Sequence, residues 1–246
     1  MRLQKIRKPI VITTAFLFHS LLIFHLLFSP VIIILASNKG IVNASFFSFV
    51  LIFLLSLFFG RAYCAWFCPG CGVQEIVGFV IKKKAKYTKA RYIKYVIFII
   101  WVSAIITGYL VRGFTKIDLS YGIENTPFER KLLLTLGAGL IIVPLALIFG
   151  RFASCKYICW QAPFMILGKK IRDRLSLPGL RIKTNAANCR KCNACTLKCP
   201  MDIQVMKKVQ CGEIVDDECI LCGNCIDACK SKALFYSIST PSKPLN

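Results

Sequence analysis

Apolar residues come in four long runs separated by short polar segments, and this pattern fills the chain as far as Gly150. The runs extend from about Pro9 to Ser37, Ile41 to Gly60, Tyr95 to Val111 and Leu132 to Gly150. A helix needs roughly 20 predominantly apolar residues to cross the hydrocarbon layer of a bilayer, so the pattern predicts four transmembrane helices. The first run is long for one crossing and contains Pro30, which predicts a tilt, a kink or an early exit. It does not read as a cleavable signal segment: its apolar part is too long, and no small-residue cleavage site precedes the second run. Beyond Gly150 the long apolar runs stop, and a polar, cysteine-rich tail follows.

Basic residues alternate between the runs. Arg2, Lys5, Arg7 and Lys8 precede the first, and Lys39 alone separates the first two. Arg61, Lys82, Lys83, Lys84, Lys86, Lys89, Arg91 and Lys94 follow the second. The loop from Arg112 to Lys131 mixes four cations with Asp118, Glu124 and Glu129, and cations crowd again from Arg151 to Lys183. Cation-rich loops stay on the cytoplasmic side, so both termini and the cysteine-bearing segments are expected there, in a multi-pass protein of the cell membrane. The formal charge of +22 with only 11 acidic residues fits this reading. The cations flank apolar runs and would face anionic lipid, as would the Lys82–Lys84 strip; a nucleic-acid partner is not expected.

Fourteen cysteines in a reducing compartment point to metal or redox chemistry rather than disulfides. Eight lie in the tail as two C-x2-C-x2-C-x3-C runs: Cys189, Cys192, Cys195, Cys199, then Cys219, Cys222, Cys225, Cys229. In two-cluster ferredoxins the fourth cysteine of each run ligates the other cluster. The expected ligand sets for two [4Fe–4S] clusters are therefore Cys189, Cys192, Cys195 and Cys229, and Cys219, Cys222, Cys225 and Cys199. Zinc favours separate C-x2-C pairs, often with histidine, and the tail has none. The tail resembles a bacterial-type ferredoxin, with Lys230 where proline usually follows the last cysteine. That resemblance implies a small α+β unit, with "IQVMKKV" and "ALFYSIST" as its strands. Cys211, between the runs, reads as a thiol of a strand or turn.

The chain also repeats itself. "FGRAYCAWFCPGCG" follows the second apolar run and "FGRFASCKYICWQAP" the fourth, each with Phe-Gly-Arg ahead of a C-x3-C pair, Cys64 and Cys68, then Cys155 and Cys159. With two crossings per repeat of about 90 residues, both copies face the same way and meet at one depth around an axis along the membrane normal. Residues four apart share one side of a helix. Two such pairs supply the four thiolates of a third cluster. A transient disulfide, another metal or inert thiols are the alternatives.

The first of these segments resembles the C-x3-C-P motif of polytopic membrane ferredoxins: the NapH component of periplasmic nitrate reductase systems and the C-terminal module of NosR and NirI proteins. Four spans, two such motifs and a two-cluster ferredoxin tail make up that family's pattern, which covers most of the chain. It implies electron transfer between a membrane quinone and soluble or membrane-bound redox proteins, though some members serve assembly or regulation. This chain departs from the pattern at Trp160, which replaces the second proline, and at Cys71, a third thiol in the first motif.

Fewer signals surround the cysteines. His19 and His25, the only histidines, lie six apart in the first run and share no helix face, which favours a packed polar group or a hydrogen bond to quinone over haem. Arg61 and Arg151 precede the cysteine pairs either as interfacial anchors or as charge compensation for a cluster that carries about −2 with its four thiolates. Trp66 and Trp160 read as interfacial anchors. No phosphate loop, Ser-His-Asp set or nicotinamide fingerprint appears, so no chemistry beyond one-electron movement is evident. The expected architecture is a four-helix transmembrane bundle with a two-fold repeat over residues 1–180, then a two-cluster ferredoxin domain over 181–246. Its expected role is as an electron-transfer subunit; a redox-sensing regulator or cofactor-assembly factor is the alternative.

Overall fold

The computed structural model describes residues 3–20, 29–86, 88–122 and 127–241. The first apolar run holds two described helices, α1 (Gln4–Ser20) and α2 (Pro30–Ser37). Pro30 starts α2 rather than kinking a longer helix, because a first-turn residue needs no amide proton; Ser29 caps it, accepting from Ile32 N at 3.3 Å. His25 lies outside the described residues. After the two-residue strand β1 (Ile41–Val42) comes α3 (Ala44–Phe59), capped by the Asn43 side chain accepting from Phe46 N at 3.2 Å. Then follow the short α4 (Ala62–Trp66), α5 (Pro69–Val80), α6 (Ile93–Arg112), strand β2 (Lys116–Ile117) and α7 (Phe128–Phe149). The second motif repeats the first with α8 (Ala153–Tyr157) and α9 (Gln161–Arg174). Gly60, Gly113 and Gly150 end α3, α6 and α7 with positive φ, the region where a Cβ is disfavoured.

Among the described residues one helical segment, Lys89–Arg112, is long and apolar enough to cross a membrane; Ala44–Phe59 and Gly139–Phe149 are shorter apolar helices. Apolar side chains on the outer faces of α3, α6 and α7 stand exposed, among them Leu51, Phe58, Ile99, Leu110 and Leu140.

The two repeats interlock. Helix α5 packs on α1, from its own repeat, and on α7 from the other; α9 packs on α6, from its own repeat, and on α3 from the other. The α1–α5 crossing needs Gly72, where a Cβ would run into the Val11 carbonyl and the Ala15 side chain. Gln74 of α5 also grips the second motif directly, accepting from Phe152 N at 2.6 Å and donating to Ser154 Oγ. Strands β1 and β2, at equivalent places in the two repeats, pair in parallel.

The tail closes with β3 (Gly179–Thr184) antiparallel to β4 (Leu234–Ser239), in register from Gly179 opposite Ser239 to Thr184 opposite Leu234. Between them lie α10 (Ala194–Lys198), α11 (Val205–Lys208) and α12 (Asn224–Ala228). The expected strand in "IQVMKKV" is instead helical. Met206 N donates to Thr196 Oγ1 at 3.0 Å there, and Val205 and Val209 are buried four apart on one helical side. The sheet's first strand comes from "GLRIKT", just before the first cysteine run. The tail does not hang free: Ile182, Met201, Ile220, Leu221 and Leu234 share one buried core with Val11, Ile52, Ala65, Phe152 and Met165 of the helical part.

Candidate iron–sulfur centres

The two tail runs share one backbone design. Lys191 and Leu221, between the first and second cysteine of each run, have φ of 54° and 53°; Asn193 and Gly223, ahead of α10 and α12, have 59° and 74°. Asp202 and Lys232 repeat it three residues past each fourth cysteine, at 56° and 53°. Left-handed non-glycine residues cost of order 1 kcal/mol or more and persist where the surroundings dictate them, commonly at ligand sites. Here they wind both loops the same way around their cysteines.

Helix α10 packs on α12 and brings the runs together. Cys199, Cys219, Cys222 and Cys225 line one cleft of about 340 Å³, whose other walls are apolar, including Ile203, Val205 and Ile220. Burial pushes these thiols up, Cys219 to about 11 and Cys222 to about 12, with Cys199 and Cys225 also raised; neighbouring thiolates add to the effect at Cys219, Cys222 and Cys225. Thiols so placed stay protonated unless a cationic core compensates them, as metal binding does. In the other set Cys195 is raised by burial and lies beside Cys229, whose Sγ accepts from Ala233 N at 3.3 Å; Cys189 is half-buried and Cys192 exposed.

At the mouth of the helical part, each C-x3-C pair straddles a helix break instead of sharing a helix face. Cys64 lies on α4 and Cys68 just before α5, which Pro69 opens; Cys155 lies on α8 and Cys159 before α9. The breaks are alike: Phe67 N and Cys68 N both donate to Tyr63 O at 2.9 and 3.0 Å, and Ile158 N and Cys159 N to Ser154 O at 3.1 and 2.9 Å. Trp160 replaces proline without altering this turn, and Pro163 sits in the first turn of α9. Cys68 and Cys155 are each raised by burial and then by the other thiols, Cys64 and Cys159 among them, so the four lie within electrostatic reach of one another. Cys71, 1% exposed, adjoins Cys155 and Cys68. Cys211 is exposed, in a turn apart from these sets.

No disulfide joins any of the fourteen cysteines. Among the described residues no three His, Cys, Asp or Glu side chains converge as one metal ion requires.

Buried charge surrounds these thiols, and its pairing partners were not legible in the sequence. Arg61, 1% exposed, is no interfacial anchor: it faces Cys64 and donates through Nη1 to Asp217 O at 2.7 Å and Glu218 Oε2 at 3.1 Å. Lys94 also pairs with Glu218, directly ahead of Cys219, and all three are buried. Arg7 pairs with Glu75, donates to Ala65 O at 2.9 Å and lies electrostatically beside Cys222 and Cys71. Arg151 bridges through its backbone to Lys83 and Ala85, and the Nε atoms of both Arg61 and Arg151 are buried without a hydrogen-bond partner. Lys84, expected in a solvated or lipid-facing strip, lies part-buried against the tail, its Nζ 3.5 Å from Thr196 O. Trp66, half-buried, donates to Leu221 O at 3.4 Å, and Trp160, also half-buried, packs against Trp101 and Phe49. His19 bonds through Nδ1 to Ala15 O, 2.7 Å away on its own helix.

Comparison with known proteins places these sites. A 4Fe-4S binding domain family matches residues 44–88 and 132–178, one segment around each C-x3-C pair, and a 4Fe-4S dicluster domain family matches 163–242, with all eight tail cysteines. The chain is 30% identical to the protein MJ0750 of Methanocaldococcus jannaschii, over 81% of each chain. It is 24% identical to YccM of Escherichia coli K12, over 77% of this chain and 54% of that one. It is 22% identical to the ferredoxin-type protein NapH of the same organism, over 73% and 62%. No solved structure matches. The two domain matches, with cysteines gathered to suit them, make this a [4Fe–4S] iron–sulfur protein, and the chain belongs to one family with MJ0750.

Proposed function

We propose that the protein is a membrane-bound electron-transfer subunit that passes electrons between a quinone or membrane redox partner and a further electron-transfer protein. The observation that carries this reading is the cleft lined by Cys199, Cys219, Cys222 and Cys225, which draws on both runs as two-cluster ferredoxins require. Those four would hold one cluster, and Cys189, Cys192, Cys195 and Cys229 the other. Cys64, Cys68, Cys155 and Cys159 would hold a third at the mouth, a reading supported by the separate 4Fe-4S domain match around each pair. When bound, the clusters would supply one-electron storage and transfer. YccM, the relative named for electron transport, agrees with this role.

The protein's own residues then have definite tasks. The apolar walls of the tail cleft exclude water from its thiols. Arg61, Lys94 and Arg7 place buried positive charge between the mouth thiols and the cleft set, favouring added negative charge there. The exposed apolar faces of α3, α6 and α7 support a multi-pass bundle in the cell membrane, with both termini and all cysteines cytoplasmic.

Iron and sulfide counting with EPR on anaerobically purified protein tests the ligand sets. About twelve irons per chain are expected for three cubanes, falling to about eight in Cys155→Ser, with the tail signals retained. Cys71→Ser should keep all twelve. Eight irons in the wild type would remove the mouth cluster from this account. Failure of the reduced protein in nanodiscs to exchange electrons with any quinone would favour a sensing or assembly role.

A further inference from the structure

The contacts between the tail and the helical part leave one tail face open. Hydrogen bonds from residues before Arg174 reach Asp217, Glu218, Cys222, Asp227 and the 196–197 carbonyls, and among the described residues none reaches 186–193 or 229–233. Those two segments lie side by side. Helices α10 and α12 pack together, Asn185 N donates to Ala233 O at 2.9 Å, and Cys195 neighbours Cys229. Arg190, Lys191, Lys230 and Lys232 are all exposed on them, as is Cys192. No acidic residue occurs from Asn185 to Cys199 or from Ala228 to Pro241. Four cations on the mouth side are paired, by contrast: Arg61 and Lys94 with Glu218, Lys169 and Lys170 with Asp217.

We propose that this basic face, centred on Cys192, is the docking surface for an acidic one-electron carrier protein. The proposal rests on the electron-transfer reading above. A four-thiolate cluster carries about −2 and would repel an acidic partner; four surrounding cations reverse that local field and steer the partner to the one exposed candidate ligand. An anionic lipid surface would also attract such cations. It has no use for a thiol at their centre, and among the described residues no hydrogen bond joins this face to the helical part.

The test uses full-length protein in neutral-lipid nanodiscs with a small [2Fe–2S] ferredoxin of net negative charge as the probe. Affinity is read by interferometry, and the second-order rate of one-electron transfer from the reduced probe, which is oxidised as a tail centre is reduced, by stopped flow. Lys191→Glu with Lys230→Glu should weaken affinity and slow that rate by about tenfold or more at low salt and flatten the salt dependence of both. Lys39→Glu with Lys116→Glu, elsewhere on the surface, should change neither. Reduction by a zwitterionic viologen should proceed equally in all three proteins. Equal probe binding by wild type and the Lys191/Lys230 variant overturns the proposal. So does a variant whose only loss is affinity for phosphatidylglycerol vesicles, which would assign the face to lipid. Failure of the viologen to reduce the wild type would overturn the electron-transfer reading instead, and the affinity comparison would still decide whether the face docks an acidic protein.

Discussion

Glu218 shows how one residue can hold two halves of a molecule together. Two buried cations converge on its carboxylate, and removing one partner of a buried ionic set leaves charge uncompensated in a poorly polarisable interior. Glu218→Gln is expected to destabilise the protein by about 3–5 kcal/mol, read as a lower midpoint in thermal unfolding followed by cluster absorbance. Asp173 gives a pH-dependent counterpart. Burial alone would raise its carboxyl, but Lys169, Arg172 and Arg181 hold it below the usual carboxylate range. A depressed carboxylate stabilises the fold fully above its unfolded value of about 3.9 and loses that contribution as pH falls through the lower folded value. Asp173→Asn is therefore expected to cost about 1.5–3 kcal/mol at pH 7, the scale of hydrogen bonds to charged groups. Urea unfolding at pH 7 and below pH 4 should show the gap between variant and wild type closing in acid.

Helices make the next set of connections, and α1 carries two of them. Its first free amides, Leu3 N and Gln4 N, donate to the Asp227 carboxylate at 3.0 and 2.8 Å, so the tail caps the first helix of the chain. Asp227→Ala should cost about 1 kcal/mol and raise amide exchange at the start of α1, with the iron content unchanged. The other connection is the close α1–α5 crossing at Gly72. Gly72→Val would force these helices apart, at about 1–3 kcal/mol, and move Cys71 against the mouth thiols. A lower unfolding midpoint together with a perturbed EPR signal from the mouth cluster is the expected signature; an unperturbed signal would separate that crossing from the site.

For the whole molecule, the expectation concerns sidedness. A membrane-impermeant thiol reagent applied to intact cells should label single cysteines introduced at Lys39 or Lys116, and should leave the native Cys211 unlabelled until the cells are opened. The sequence by itself determined the tail chemistry, because cluster ligation imposes fixed short spacings that survive any rearrangement of the surrounding fold. It also determined the repeat and the positions of α3, α6 and α7, since apolar runs of helical length leave few alternatives. Local pattern failed where a contact far along the chain decided the outcome. Residues 205–208 became helical beside Thr196, and each C-x3-C pair straddles a break between two helices instead of sharing one. Lys94 read as a boundary cation, and Arg61 as either an anchor or a counter-charge to a cluster, because flanking position is all that a linear pattern conveys; Glu218, over a hundred positions away, draws both into the interior. Only the tertiary structure settled which cysteines share a cleft, which cations are neutralised and which tail face stays open. Each of these depends on burial and on distance between segments remote in sequence, and neither quantity exists until the chain has packed.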